Sequence, residues 1–144
     1  MVTITRGDIF GSEAEALVNP VNCAGVMGKG LALQFKKRFP LMYAHYRAEC
    51  KAGRLTLGTA CGFQESGRWV VCVPTKKHWR SKSRLPEITA GVAALRSFLE
   101  GAGIRSVAIP PLGCGHGGLQ WSAVQPVITS GFAGSDIAVV LFAP

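Results

Sequence analysis

Acidic side chains are scarce in this chain: 8 Asp and Glu stand against 16 Lys and Arg, a formal net charge of +8. That imbalance excludes an acidic solvating segment and points to polyanionic partners. Long apolar runs are also missing. Although 48% of the residues are hydrophobic, no stretch reaches the roughly 18 to 20 consecutive apolar residues that cross a bilayer, so no membrane contact is expected. The opening MVTITRGDIF lacks a signal-peptide layout, because Arg6, Gly7 and Asp8 interrupt it before an apolar stretch develops. A cytoplasmic location is therefore expected. The 5 cysteines (Cys23, Cys50, Cys61, Cys72 and Cys114) are odd in number and form no CxxC pair. Neither a disulfide framework nor a structural zinc site is expected from them. No repeat, linker or low-complexity segment divides the 144 residues, and the apolar fraction suits one folded domain with a sizeable core. A monomer is expected.

The positive charge is unevenly placed. Residues 29 to 84 hold thirteen Lys and Arg and two acids, Glu49 and Glu65, whereas the rest of the chain is slightly acidic. Within that region Lys76-Lys77-His78-Trp79-Arg80-Ser81-Lys82-Ser83-Arg84 places five Lys or Arg and an indole in nine residues. Cations for phosphates and an aromatic for base stacking suit single-stranded nucleic acid. A solvated loop with an incidental Trp has the same composition.

Hydrophobic periodicity predicts alternating strands and helices. Val2–Thr5 reads as an edge strand and Ala16–Asn19 as a buried one. Helices are expected from Leu31 to Phe39, ended by Pro40, and from Leu41 to about Lys51. A strand over Arg68–Val73 is expected to stop at Pro74. Pro86 opens a helix whose Ile88, Val92, Leu95 and Leu99 recur at helical spacing, with Gly101 and Gly103 ending it. Val107–Ile109, Trp121–Phe132 and Ile137–Phe142 complete the order as strand, helix and strand. This alternation predicts an α/β fold with a sheet covered on both faces.

Two glycine-rich loops follow strands and lead towards helices: Asn19 to Gly30, and Pro110 to Gly118. Glycine lets backbone approach a ligand closely, and amides at helix starts point at anions, so the pair suits a diphosphate. Gly25-x-x-Gly28-x-Gly30 is not GxGxxG, and Gly28-Lys29-Gly30 lacks the Walker spacing and its Ser or Thr. Neither a Rossmann nor a P-loop assignment follows.

In combination the motifs are more specific. Gly7-Asp8-Ile9, Ala16-Leu17-Val18-Asn19 with Asn22, Gly28-Lys29-Gly30 and Pro111-Leu112-Gly113-Cys114-Gly115 together resemble a macrodomain. Gly25 to Lys36, Pro74-Thr75-Lys76-Lys77-His78-Trp79-Arg80, Ser83-Arg84-Leu85 and Gly117-Gly118-Leu119-Gln120-Trp121 are similar to the DarG family of DNA ADP-ribosyl glycohydrolases, antitoxins of toxin–antitoxin systems. The similarity runs in order from Gly7 to Pro144. It implies a three-layer α/β/α sandwich with a mixed central sheet and residues 1–144 as a single macrodomain. Members of that family usually carry a C-terminal toxin-binding region, so the chain is expected to stop before one.

The resemblance also implies a function: removal of ADP-ribose from nucleobases of single-stranded DNA. This would reverse the modification made by a DarT-type ADP-ribosyltransferase toxin, a DNA-repair reaction with ADP-ribose as product and no cofactor or metal. By similarity, Asp8 would accept from the adenine amino group, with Ile9 and Phe142 against the ring. Gly28, Lys29, Gly30, Leu112, Gly113, Cys114, Gly115, His116, Gly117 and Gly118 would hold the diphosphate and distal ribose, with Asn22 facing that ribose. Lys76, in the Thr75-Lys76-Lys77 motif, would be catalytic. A neutral amine can attack the anomeric carbon, and a charged one can assist electrostatically; both roles stay open. Lys77 and Arg80 are expected to oppose its protonation. Lys77, His78, Trp79, Arg80, Lys82 and Arg84 would bind DNA. Relatives that act on modified protein carry an acid where this chain has Gly117, and relatives of the DarG type more often carry Asn where it has His116. Two rival readings are a non-catalytic ADP-ribose reader and a hydrolase of ADP-ribosylated protein.

Overall fold

A computed structural model describes all residues from Met1 to Pro144. The elements run β1 (Val2–Thr5), a 3-10 turn (Ile9–Gly11), β2 (Ala16–Asn22), α1 (Gly30–Arg38), α2 (Pro40–Lys51), β3 (Cys61–Glu65), β4 (Arg68–Lys76), α3 (Leu85–Gly101), β5 (Ser106–Ile109), α4 (Trp121–Gly131) and β6 (Ala138–Phe142). One six-stranded sheet has the order β1-β6-β5-β2-β4-β3. All pairings are parallel except β3 against β4. The sheet is therefore mixed, and helices cover both faces.

Alternation along the strands divides the core in two. Ala16, Val18, Val71, Val73, Ile109 and Leu141 pack with Ile88, Val92, Leu95 and Leu99 of α3 and with Val124 and Ile128 of α4. Leu17, Val21, Val70 and Cys72 point the other way, onto Phe35 of α1, Phe39 beyond it, and Met42 and Tyr46 of α2. Because neighbouring strand residues face opposite sides, the run Ala16-Leu17-Val18 supplies both cores.

The sequence expectations hold for every helix and for β1, β2, β5 and β6, with ends shifted by a residue or a few. Two corrections stand out. β3 was not expected: its Cys61-Gly62-Phe63-Gln64-Glu65 has little apolar alternation and lies on an edge. The strand expected to stop at Pro74 continues to Lys76. Pairing with β3 ends at Cys72, so Pro74 has one flank on which no ladder bond is required. The two extra residues, Thr75 and Lys76, lie at the carboxyl edge of the sheet.

Candidate active site

Five parallel strands deliver their C-terminal ends to one edge of the sheet. Between β5 and β2 the ladder is short. Ala16 pairs with Val107 and Leu17 with Ala108, yet β2 runs on to Asn22. Beyond Leu17 the strands part, and a cavity of about 640 Å³ opens there. Crevices outside the carboxyl ends of strands are where open α/β sheets take ligands. Pro20 and Val21 line it from β2, and Pro110 and Pro111 from the segment after β5.

The first loop is organised by Asn22, 6% exposed at the end of β2. Its Nδ2 donates to the Val26 carbonyl at 2.8 Å, and its Oδ1 accepts from the Ala24 and Val26 amides at 3.0 and 3.4 Å. The buried Tyr46 hydroxyl reaches the Asn22 carbonyl and Oδ1 at 2.8 and 2.9 Å. The loop then presents Gly28, Lys29 and Gly30 to the cavity at the start of α1.

The second loop folds on itself. Leu119 N–H donates to the Gly113 carbonyl at 2.9 Å, and Ser83 N–H to the Gly117 carbonyl at 3.0 Å. Gly113 has φ +73°, in the left-handed region that favours glycine. Gly117 is held by space instead: a Cβ there would overlap Ser83 Oγ and lie 2.5 Å from the Gly113 carbonyl. Neither an acid nor any other side chain fits at 117 without displacing Ser83. The two loops meet where His116 Nε2 comes within 3.6 Å of the position a Cβ on Gly30 would take.

Lys76 is the half-buried cation at the end of β4, and it lines this cavity. Its Nζ donates to the Trp79 carbonyl at 3.1 Å. Burial pushes its pKa below the ordinary lysine value, and the charges of Lys29 and Lys82 push the same way. The expectation that Lys77 and Arg80 would do this is corrected. Lys77, the next residue along, is exposed, and the Arg80 guanidinium lies over the Trp79 ring, 4.4 Å from its centroid.

The cavity thus gathers Asn22, Gly28, Lys29, Gly30, Lys76, Gly113, Gly115, His116 and Gly117 from the sequence-derived ADP-ribose and catalytic sets. It also takes in Trp79 from the DNA set. Leu112 lies fully buried beneath the loop, Cys114 is half-buried and Gly118 exposed, none of them lining the cavity. Asp8, Ile9 and Phe142 sit outside this volume, at the ends of β1 and β6, where Thr5 pairs with Phe142. Asp8 is exposed and its Oδ1 accepts from Phe10 N–H at 3.0 Å, while Ile9 and Phe142 belong to the core facing α1 and α2. Lys77, His78, Arg80, Lys82 and Arg84 are exposed on the turn beyond β4. The Lys82 stem leans towards Gly118, with its Cδ 3.4 Å from where a Cβ on that glycine would stand. The sequence reading missed Val26, Leu31 and Ala32 as lining residues, and did not single out Thr75. Their signal was position alone, beside the quoted glycines and Lys76.

Comparison with known proteins places this architecture. The Macro domain family matches residues 18–128. A DNA ADP-ribosyl glycohydrolase of Mycobacterium tuberculosis is 44% identical over 149 aligned residues, which cover 100% of this chain and 42% of that protein. The chain thus spans about two fifths of the length of such curated relatives. The solved macrodomain of Mycobacterium tuberculosis DarG is 43% identical, covering 100% of this chain and 98% of that one, with a TM-score of 0.96. Thermosipho africanus DarTG in complex with ADP-ribose is 34% identical over 99% of this chain and 41% of that one, with a TM-score of 0.94.

Proposed function

Because this chain belongs to the macrodomain family, we propose that it hydrolyses the bond between ADP-ribose and a nucleobase of single-stranded DNA. The observation that carries the reading is Lys76: an amine driven towards its neutral form, in the same cavity as two glycine loops suited to a diphosphate. The likeness to the glycohydrolase of Mycobacterium tuberculosis and to the ADP-ribose-bound protein of Thermosipho africanus supports it.

The loop amides and the start of α1 would take the diphosphate, with Lys29 neutralising its charge. Neutral Lys76 Nζ would attack the anomeric carbon of the distal ribose. As that bond forms, the carbon–base bond breaks, and the base leaves with the electron pair and takes a proton. Loss of the ring oxygen from the same carbon gives a protonated Schiff base on Lys76. Water then adds to that carbon and gives one proton to the freed ring oxygen, the amine departs to leave the aldehyde, and the ring hydroxyl closes onto it to give ADP-ribose. The Trp79 carbonyl, 3.1 Å from Nζ, would aim the amine. No group of three or more His, Cys, Asp or Glu side chains converges anywhere in the fold.

The substrate would come from a DarT-type transferase. A relative from Thermosipho africanus, described as a fusion of DNA ADP-ribosyl transferase and DNA ADP-ribosyl glycohydrolase, supports that pairing. The crowding of Gly117 by Ser83 favours DNA over the arrangement with an acid at that place. The deciding experiment incubates the protein, with a chelator present, with ADP-ribosylated single-stranded DNA and separately with ADP-ribosylated protein. Release of ADP-ribose from DNA supports the proposal; binding of free ADP-ribose with no release from either substrate identifies a reader.

A further inference from the structure

A second concavity lies beside the catalytic cavity and takes no part in the reaction. We propose that it seats the unmodified strand flanking the ADP-ribosylated nucleotide, an inference that rests on DNA being the substrate. This groove of about 840 Å³ shares Val26 and Gly28 with the catalytic cavity, so one ridge separates them. Lys36 of α1 and Tyr43, Arg47 and Lys51 of α2 line it, with no acidic side chain among the lining residues. The three α2 residues are spaced four apart and form one stripe on the helix.

Its charge is unspent. None of the three cations forms an ion pair, and the nearby Glu49 is engaged by Arg54 at 2.7 Å. Lys36 Nζ lies 4.6 Å and Arg47 Cζ 5.8 Å from the centroid of the Tyr43 ring. The ring thus holds both cations, neither neutralised by a carboxylate, on one wall of the groove, where they suit the phosphates of a strand. An acidic protein surface would use the same cations, but the shared Val26 and Gly28 ridge ties them to the cavity proposed to hold the modified nucleotide. The groove also adjoins the basic turn after β4: Cys23, which lines it, donates its N–H to the Lys77 carbonyl at 3.0 Å. A strand leaving the catalytic cavity over the Val26–Gly28 ridge therefore meets cations at once.

The test uses the whole chain and a fluorescent, unmodified single-stranded oligonucleotide read by anisotropy. The variant Lys36→Gln/Arg47→Gln/Lys51→Gln should bind it at least about tenfold more weakly. Its logarithmic salt slope should be lower by about 2, the value for three lost phosphate contacts on a single strand. A control with the same charge change outside the groove, Arg6→Gln/Lys37→Gln/Arg105→Gln, should lose less than threefold. With ADP-ribosylated substrates, the groove variant should lose kcat/KM on an oligonucleotide and keep it on a single modified nucleoside. Unchanged oligonucleotide binding, or equal loss in the control, overturns the proposal. So does intact DNA binding with lost association to an ADP-ribosyltransferase, which makes the groove a protein-docking surface. If wild type releases nothing from DNA, the glycohydrolase reading fails, and anisotropy alone judges the groove.

Discussion

The Tyr46 hydroxyl, buried on α2, lies 2.8 Å from the Asn22 carbonyl and 2.9 Å from its Oδ1. One phenol thus pins both the backbone and the side chain of the residue that ends β2 and shapes the first glycine loop. Burial also pushes the Tyr46 pKa well above its ordinary value, so the phenol stays a donor.

Tyr46→Phe removes that donor while keeping the ring in the core. It should lower stability by about 0.5 to 1.5 kcal/mol, the net contribution of one hydrogen bond, because Asn22 Oδ1 keeps the Ala24 and Val26 amides as donors. ADP-ribose affinity should fall with it, since the loop that Asn22 organises presents Gly28 to Gly30. Asn22→Ala should do more on both counts. Thermal melts and calorimetry on both variants check this; a stable Asn22→Ala protein that loses only affinity would make Asn22 a ligand contact rather than a loop organiser.

Under the proposed function Asp8 would have two separable duties. One carboxylate oxygen caps the 3-10 turn through Phe10 N–H, and the other would accept from the adenine amino group. Asp8→Asn retains an acceptor for the cap but offers the ligand a donor in place of an acceptor. It should melt like wild type yet bind ADP-ribose about 1 to 3 kcal/mol more weakly by calorimetry, the range for hydrogen bonds involving charged groups. Unchanged affinity in both Asp8→Asn and Asp8→Ala would leave Asp8 as a turn residue only.

Gly117→Asp would install the acid that the family resemblance associates with protein substrates. Its Cβ would overlap Ser83 Oγ and crowd the Gly113 carbonyl. Overpacking of this kind costs about 1 to 3 kcal/mol. The variant should therefore melt earlier and lose ADP-ribose affinity, without gaining release from ADP-ribosylated protein. A stable variant active on modified protein would show that a single residue sets the substrate class.

What could be read in the sequence was local. The loops around Gly28 and Gly113 show through glycine density and helix starts nearby, and the apolar run Ala16-Leu17-Val18 through a strand covered on both faces. What could not be read depends on distant partners. Nothing near Asn22 announces Tyr46, twenty-four positions on, as the residue that holds it. Ser83 reaches Gly117 across a still longer separation. The β2–β5 ladder that stops at Leu17, and so opens the cavity, is a property of the sheet. The Tyr43-Arg47-Lys51 stripe was hidden for a different reason: its cations are spread at helical spacing, whereas those of residues 76 to 84 are consecutive and conspicuous.

Lys76 carries the proposed chemistry. Its folded pKa lies below the ordinary lysine value because burial, then Lys29 and Lys82, disfavour the charged form. If the neutral amine reacts, release of ADP-ribose from DNA should rise with pH and level off below the titration of an ordinary lysine. Lys82→Met removes one opposing charge and should move that inflection to higher pH. The sign for stability follows. A lysine pKa lowered on folding penalises the fold while the group is protonated, and the penalty lifts as pH rises from the folded towards the unfolded pKa. Lys76→Met should therefore be no less stable than wild type at neutral pH. Lys76→Ala should bind ADP-ribose with similar affinity, since the diphosphate cradle is mainly backbone, yet release it from modified DNA at least about a hundredfold more slowly. Lys77→Ala should be much milder, because adjacent side chains of an extended segment point to opposite sides and Lys77 is exposed. Single-turnover release across pH for these four variants decides it. A dead Lys77→Ala beside an active Lys76→Ala would transfer the role to Lys77, and a rate flat in pH with wild-type activity in Lys82→Met would remove the neutral amine from the mechanism.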